Sequence, residues 1–434
     1  MLPPRLTFQI AAICITIFWC FAWVLSIKKS NKTIAHITHL QSGSTNRPTL
    51  ASVTNTIPKL DIDEATTDPV WDILNTTLGF QKIYAISMPH RTDKRDYLTL
   101  IGLVSNLDID IVDGVNGSEI HPKALPAVWE ATQRIQRNVP NISQFWKGTE
   151  ATGDYGCWRA HLNIYQHMLQ NSIHTALVLE DDVDWDIFLR AQMIEFARGV
   201  RTLQNATMPL QSPYGDNWDV LALGHTGANN KPNKVQRYWV VDNDPTVIAE
   251  TRRTWSRKPN LNASSLSGNY SRIVMEISKF TATTAYGISL RGAARLLYDQ
   301  SLLPNANAID MAMLALCGKD IYESPFCYGA YPMLFGRYRA IGPQDKDSDR
   351  RAISNDAKLG SGGFQESKDR LTPKSEFTVF PVSLNLGKLL RGESVVASVD
   401  PTTDLMGEVD LRNVVIPRGS EVVVGPREYV RDGS

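Results

Sequence analysis

The run ALVLEDDVDWD at residues 176–186 limits the possible folds of this chain more than any other segment. An uncharged, strand-forming stretch ends abruptly in Glu180, Asp181 and Asp182, with Asp184 and Asp186 just beyond. Such a stretch reads as a buried strand, and in open α/β sheets ligands bind past the carboxyl ends of strands. Adjacent carboxylates repel one another unless a cation or several donors compensate. An oxygen-rich set of this kind suits Mn²⁺ or Mg²⁺, and such an ion can bridge the phosphates of a nucleotide and stabilise a departing diphosphate. The alternative is an acidic, capped first turn of the helix that follows.

Strand and helix signals alternate around this segment. Residues 82–87, KIYAIS, read as a strand. Residues 92–106 carry Tyr97, Leu98, Ile101 and Val104 at helical spacing, and 108–112 form a second strand ending in an Asp-Gly turn. Helices are expected over 154–171, 187–203, 291–298 and 309–316, and strands over 175–179, 218–223 and 281–289. Residues 226–270 are polar and read as an insertion. This alternation predicts an α/β domain with a mostly parallel sheet over residues 71–350. Residues 351–434 read as a C-terminal extension with valine-rich runs.

The chain has 434 residues with 45 basic and 45 acidic side chains. A net charge of zero offers no global field for a nucleic-acid backbone, so no nucleic-acid partner is expected. Residues 8–27 carry no charge and are long enough to span the roughly 30 Å core of a bilayer. Residues 1–29 are therefore expected to be a cytosolic tip and one transmembrane signal anchor, with a cleaved signal peptide as the competing reading, and the Ser/Thr/Asn/Pro-rich residues 30–70 a flexible stem. Seven N-x-S/T tripeptides, at Asn31, Asn75, Asn116, Asn141, Asn205, Asn262 and Asn269, favour a luminal body, giving a single-pass type II protein of the Golgi or ER membrane. Cys317 and Cys327 either form a bridge or stay as buried thiols.

Several stretches, in order, resemble glycosyltransferase family 25, the lipopolysaccharide and collagen β-galactosyltransferases. They are KIYAISMPHRTDKR (82–95), IVDGVNG (111–117), GDYGCWRAHLNIY (153–165) and ALVLEDDV (176–183). AYGISLRGAARLL (285–297), Asp310 and PQDKDSD (343–349) extend the resemblance. It implies a GT-A-like, nucleotide-sugar-binding domain that moves a hexose, galactose first, from a UDP-sugar to a glycan or glycoprotein acceptor with inversion. Ser87 stands where the family usually has asparagine, Ala160 where it has serine, and no histidine follows His225. A late histidine ligand is therefore absent, and Asp345, Asp347, Asp349 or water would take its place.

The resemblance assigns roles residue by residue. Glu180 and Asp182 are the expected metal ligands. Asp181 caps the following turn or touches the ribose. Arg91 and Arg95 reach nucleotide phosphates, since guanidinium forks match phosphate; the alternative is a solvated helix face. Asp113 accepts from uridine or ribose, or simply makes its Asp-Gly turn. Asp310 is the candidate general base, or a plain helix-start aspartate. His161, among Cys157, Ile164 and Met168, reads as a buried structural histidine. Trp218 and Trp239 offer sugar-stacking faces, with core packing as the default. The different-class alternative is a catalytically silent binding or adhesion protein on the same fold.

Overall fold

β-Branched and aliphatic residues build a short parallel unit first. In the computed structural model, which describes residues 68–125, 151–230, 235–249, 270–302, 308–318, 327–342, 344–349, 370–399 and 406–424, strand β1 (Lys82–Ser87) buries Ile83, Tyr84 and Ala85. Helix α1 (Thr92–Val104) then leads to β2 (Ile109–Asp113), parallel to β1. Helix α2 (Ala151–Gln170) returns the chain to β3 (Thr175–Glu180), parallel to β1 on its other side. The two crossovers run in opposite directions, so the right-handed rule sets α1 and α2 on opposite faces. The strand order reverses between β1 and β3, and their carboxyl ends make the crevice where such sheets bind ligands. Gly156 in α2 is required by this packing, because a Cβ there would lie 2.2 Å from the Val115 carbonyl oxygen.

The acids after β3 lead into β4 (Val183–Trp185) and helix α3 (Leu189–Gln204), where Arg190 donates to the carbonyls of Ser105 and Asn106 behind α1. Next come β5 (Val220–Gly224), β6 (Ala228–Asn229), β7 (Gln236–Val241), β8 (Arg272–Glu276), β9 (Lys279–Phe280) and β10 (Ala285–Ser289). Helices α4 (Leu290–Ser301) and α5 (Ile309–Gly318) pack with α2. The chain continues through β11 (Cys327–Tyr331), β12 (Phe335–Arg339), β13 (Lys374–Glu376), helix α6 (Val382–Leu390), β14 (Val395–Val399), β15 (Met406–Asp410) and β16 (Ser420–Val424).

Nine strands form the main sheet in the order β16-β7-β8-β11-β5-β10-β3-β1-β2. Six run in one direction, so the expected mostly parallel α/β sheet is present. Of the three reversed strands, β10 and β8 are interleaved with them and β16 forms one edge. The polar stretch expected to be an insertion supplies β7, whose buried Tyr238, Val240 and Val241 face the core. A second sheet, β13-β12-β4, is antiparallel and has no clear strand signal in the sequence because β12, FGRYR, is half polar.

The C-terminal stretch pairs with both sheets through β13 and β16. It is held to the segment after β3 by Asp184 and Asp186. Asp184 accepts from the hydroxyls of Ser375 and Ser383 at 2.6 and 2.5 Å, and Asp186 accepts the Phe188 and Phe380 amides at 3.0 and 2.9 Å. These two acids are structural clasps and not part of an open ligand site. Cys317 and Cys327 form a disulfide between α5 and β11. The expected membrane span at 8–27, the tip before it and most of the stem lie outside the described residues. Among the described residues no helix is long and apolar enough to cross a membrane.

Burial of Asp186 makes a pH-dependent contribution. Desolvation pushes its carboxyl up to about 7, against the pull of its backbone donors. A raised carboxyl favours the folded state below its unfolded value and loses that contribution as pH rises from about 4 through about 7. We expect stability to fall by an amount on the order of 2–4 kcal/mol across that window from this group. Asp186→Asn should shrink the difference between urea midpoints measured at about pH 4.5 and about pH 7.5. An undiminished difference would assign the pH dependence to other groups.

Candidate active site

The crevice at the carboxyl ends of β1 and β3 gathers most of the residues singled out in the sequence. Glu180 ends β3, and its Oε1 accepts from the Thr283 hydroxyl at 2.7 Å. Burial, followed by the charge of Asp182, pushes its carboxyl up to about 7; Asp181 and Asp310 add to the same effect. Asp310, in the first turn of α5, therefore shares the electrostatic environment of Glu180. Its Oδ2 accepts the Ala282 amide at 3.2 Å and its Oδ1 the Met311 amide at 2.9 Å. One loop, 281–284, thus carries a donor to each carboxylate, and Ala282 takes a left-handed φ of 66° within it.

Asp181 neither caps the next turn nor stands open. Its two oxygens accept from the Ser87 hydroxyl at 2.9 Å and the Lys94 ammonium at 2.6 Å. Burial raises its carboxyl and the ammonium of Lys94 pulls it back. Burial opposes the Lys94 charge, but Asp181 and Asp182 outweigh it and raise the ammonium. Ser87, which departs from the family pattern, thus serves as a donor to the acidic cluster.

Asp182 accepts from Arg339 Nη1 at 2.8 Å through its Oδ2. The second sheet makes this contact. Antiparallel pairing of β12 with β4 sets Arg337 opposite Val183, and the Tyr338 amide donates to the Asp182 carbonyl at 2.7 Å. Lys94 and Arg339 are thus the cations that the crowded carboxylates required. Lys94 lies inside a motif already visible in the sequence, whereas Arg339 is 157 residues from its partner.

The other expected residues lie nearby with different partners. Arg91 donates to Asp349 at 2.7 Å, to Asp93 at 3.0 Å and to the Lys346 carbonyl at 2.9 Å. Arg95 and Asp113 pair with each other, and Arg95 also donates to the Ser87 carbonyl at 2.8 Å. Asp347 is bound by Arg370 and Asp349 by Arg91, so these two acids are committed to cations. The side chain of Asp345 lies outside the described residues.

The aromatic candidates belong to the packing. Trp218 is buried against Phe80 and Tyr214, with its indole N–H on the Gly215 carbonyl. Trp239 donates to Glu195 and packs on Gly199. His161 is buried and hydrogen-bonded to the Tyr286 hydroxyl at 2.7 Å, and burial pulls its pKa down to about 3. It stays neutral and structural.

Two carboxylate oxygens, Glu180 Oε2 and Asp182 Oδ1, have no hydrogen-bond donor among the described residues. No group of three His, Cys, Asp or Glu able to hold a metal ion occurs among the described residues. This donor set fits a hard divalent cation that takes one or two carboxylates and completes its shell with phosphate and water. It does not make an all-protein cage.

Residues 80–205, which contain β1, α2 and β3, match the family model described as glycosyltransferase family 25 (LPS biosynthesis protein). This stretch of the chain is similar to glycosyltransferase family 25. The first four stretches of sequence resemblance fall inside it, and those at 285–297, 310 and 343–349 lie beyond. A procollagen galactosyltransferase 1 of Danio rerio is 24% identical over 148 residues, which are 34% of this chain and 22% of that protein. A glycosyltransferase 25 family member of Anopheles gambiae is 22% identical over 254 residues, 58% of this chain and 34% of that protein. An inactive glycosyltransferase 25 family member 3 of Homo sapiens is 22% identical over 231 residues, 52% and 30% of the two chains. The matches thus span at most about a third of these relatives.

The Lys94–Asp181 pair has a testable energetic signature. Both side chains are largely buried. Lys94→Met should cost about 2–4 kcal/mol near neutral pH, because it strands a buried carboxylate. The penalty should shrink as pH falls and Asp181 takes up a proton, by comparison of urea midpoints for variant and wild type at about pH 5 and about pH 7.5.

Proposed function

We propose that this domain transfers a hexose, galactose first, from a UDP-sugar to a glycan or glycoprotein acceptor with inversion at the anomeric carbon. One observation carries this reading. Glu180 and Asp182, each with an uncommitted oxygen, lie beside Lys94 and Arg339 at the point where the strand order reverses, within the family-25 match. A glycosidase would need carboxylates flanking the sugar from both sides. Here the acids gather at one strand end, beside cations suited to phosphate.

Glu180 and Asp182 would hold Mn²⁺ or Mg²⁺ together with the donor diphosphate. When bound, the ion supplies Lewis-acid charge against the leaving UDP. Thr283 holds Glu180 in position, and Ser87 and Lys94 hold Asp181 beside it. Lys94 and Arg339 add positive charge where negative charge develops, which lowers the barrier when those groups are already oriented. Asp310 takes the proton of the acceptor hydroxyl as its oxygen attacks. The Ala282 and Met311 amides fix the Asp310 carboxylate for that proton transfer.

The disulfide supports an oxidising compartment, since such bridges persist in secretory lumens and are rare in the cytosol. With the seven sequons and the uncharged residues 8–27, this favours a Golgi or ER type II protein with a luminal body.

The test is UDP release from a panel of UDP-hexoses, with Mn²⁺ and after chelation. Asp182→Asn and Glu180→Gln should each lower turnover by at least about 10²-fold and weaken metal-dependent UDP binding. Asp310→Asn should lower turnover by roughly 10²–10⁴-fold while donor affinity changes little. Absence of turnover with every donor, alongside intact UDP binding, would select the silent binding protein, in keeping with the relative named inactive. Near-normal turnover of Asp310→Asn would move the base elsewhere.

A further inference from the structure

The four cations that line one side of the crevice are already occupied. Arg91, Lys94, Arg339 and Arg370 have side chains only 11–18% exposed. Residues 344–349, QDKDSD, lie across them. Arg370 holds Asp347 with both terminal nitrogens, at 3.1 and 2.8 Å, and Arg339 Nε is 3.9 Å from the same carboxylate. Asp349 accepts from Arg91 at 2.7 Å and from Lys94 at 3.5 Å. The segment's backbone adds the carbonyls of Lys346 to Arg91 and of Asp347 to Lys94, while outside it Ala340 O accepts from Arg370, Asp93 from Arg91 and Glu376 from Arg339 at 3.4 Å.

Among the described residues, the segment presents two carboxylates and two carbonyl oxygens to these cations. It contains no apolar side chain, and none of residues 346–349 is fully buried. Lys346 and Asp93 add one further, exposed ion pair at 3.5 Å, and His90 lies 3.8 Å from Asp349. A segment docked by apolar burial would resist exchange. One held through charge-assisted bonds can trade its carboxylates for another anion with little net change in bonding. Arginine forks accept phosphate oxygens in the geometry they use for carboxylate. The cradle also adjoins the acids assigned to the donor, since Lys94 reaches Asp181 and Arg339 reaches Asp182.

We propose that Arg91, Lys94, Arg339 and Arg370 form a diphosphate-binding cradle in which Asp347 and Asp349 stand in for the ligand, so that a nucleoside diphosphate binds by displacing residues 344–349. This rests on the reading of the crevice as a nucleotide-sugar site and adds a self-competing segment to it. The segment sets donor affinity by competition and excludes other anions from the empty site.

Inorganic pyrophosphate and UDP, titrated calorimetrically into the full chain in metal-free buffer, test this. Asp347→Asn/Asp349→Asn should bind both at least about fivefold more tightly than wild type, since the competing charges are gone. Arg91→Gln/Arg370→Gln should bind both at least about tenfold more weakly. In wild type, pyrophosphate should speed amide hydrogen exchange across residues 344–349, a readout that needs no variant. Unchanged or weaker binding by the aspartate variant, or slowed exchange in this segment, would overturn the proposal and leave the carboxylates as structural partners. The two readings fail separately. Tighter pyrophosphate binding without UDP-hexose turnover removes the transferase and keeps the cradle. Turnover of UDP-hexose with affinities indifferent to Asp347 and Asp349 removes the cradle alone.

Discussion

Compensation of negative charge at the end of β3 organises this molecule. Glu180, Asp181, Asp182, Asp184 and Asp186 lie within seven residues, and together they are satisfied by several separate parts of the chain. Thr283 comes from the loop before β10, Ser87 from β1, Lys94 from α1 and Arg339 from β12. Ser375, Ser383 and the Phe380 amide come from the C-terminal stretch. A buried carboxylate left without donors costs several kcal/mol, so each of these contacts is a requirement of folding as much as of function. The acidic run is in this sense a nucleus of tertiary specificity. It fixes the second sheet against the first and secures residues 374–383 to the domain.

The acids divide by what they face. Asp184 and Asp186 are fully enclosed, and burial lifts their carboxyls to about 6 and about 7 despite hydroxyl and amide donors. They hold the chain together. Glu180 and Asp182 each retain an oxygen without a donor among the described residues, and they lie where β1 and β3 end. Asp181 stands between these groups, tied on both oxygens to Ser87 and Lys94. One short motif thus combines enclosed clasps with carboxylates that keep a free oxygen, and the distinction follows from the partners each residue meets.

The β1–α1–β2 unit, α2, β3, α3 and the β10–α4 pair are legible in the sequence, because their apolar spacing and turns agree with their burial. β7 and β12 are not, since each mixes charged and aromatic residues with few aliphatics, and β8, RIVME, offers only a three-residue apolar run between charged ends. Within the site, Glu180, Asp181, Asp182 and Asp310 can be named from the chain alone. Their counter-ions cannot. Lys94 is inconspicuous beside Arg91 and Arg95, although an acidic cluster without a nearby cation is itself the signal to look for one. Arg339 has no local signal, because only the pairing of β12 with β4 brings it to Asp182.

Retention of the acidic motif is therefore a weak criterion for activity, since the proteins this chain is similar to include some named as galactosyltransferases and one named as inactive. In the proposed function, the same three carboxylates are neutralised either from within, by Lys94 and Arg339, or from outside, by a cation arriving with a diphosphate. The internal solution stabilises the empty fold. The external one wins only when the ligand offers these cations anions as good as those they already hold. Asp182 is where the two solutions compete, since its Oδ2 binds Arg339 while its Oδ1 stays uncommitted. A chain that kept the acids but strengthened the Arg339 contact would fold well and bind the donor poorly. Function in such a site depends less on which acids are present than on how lightly their internal partners hold them.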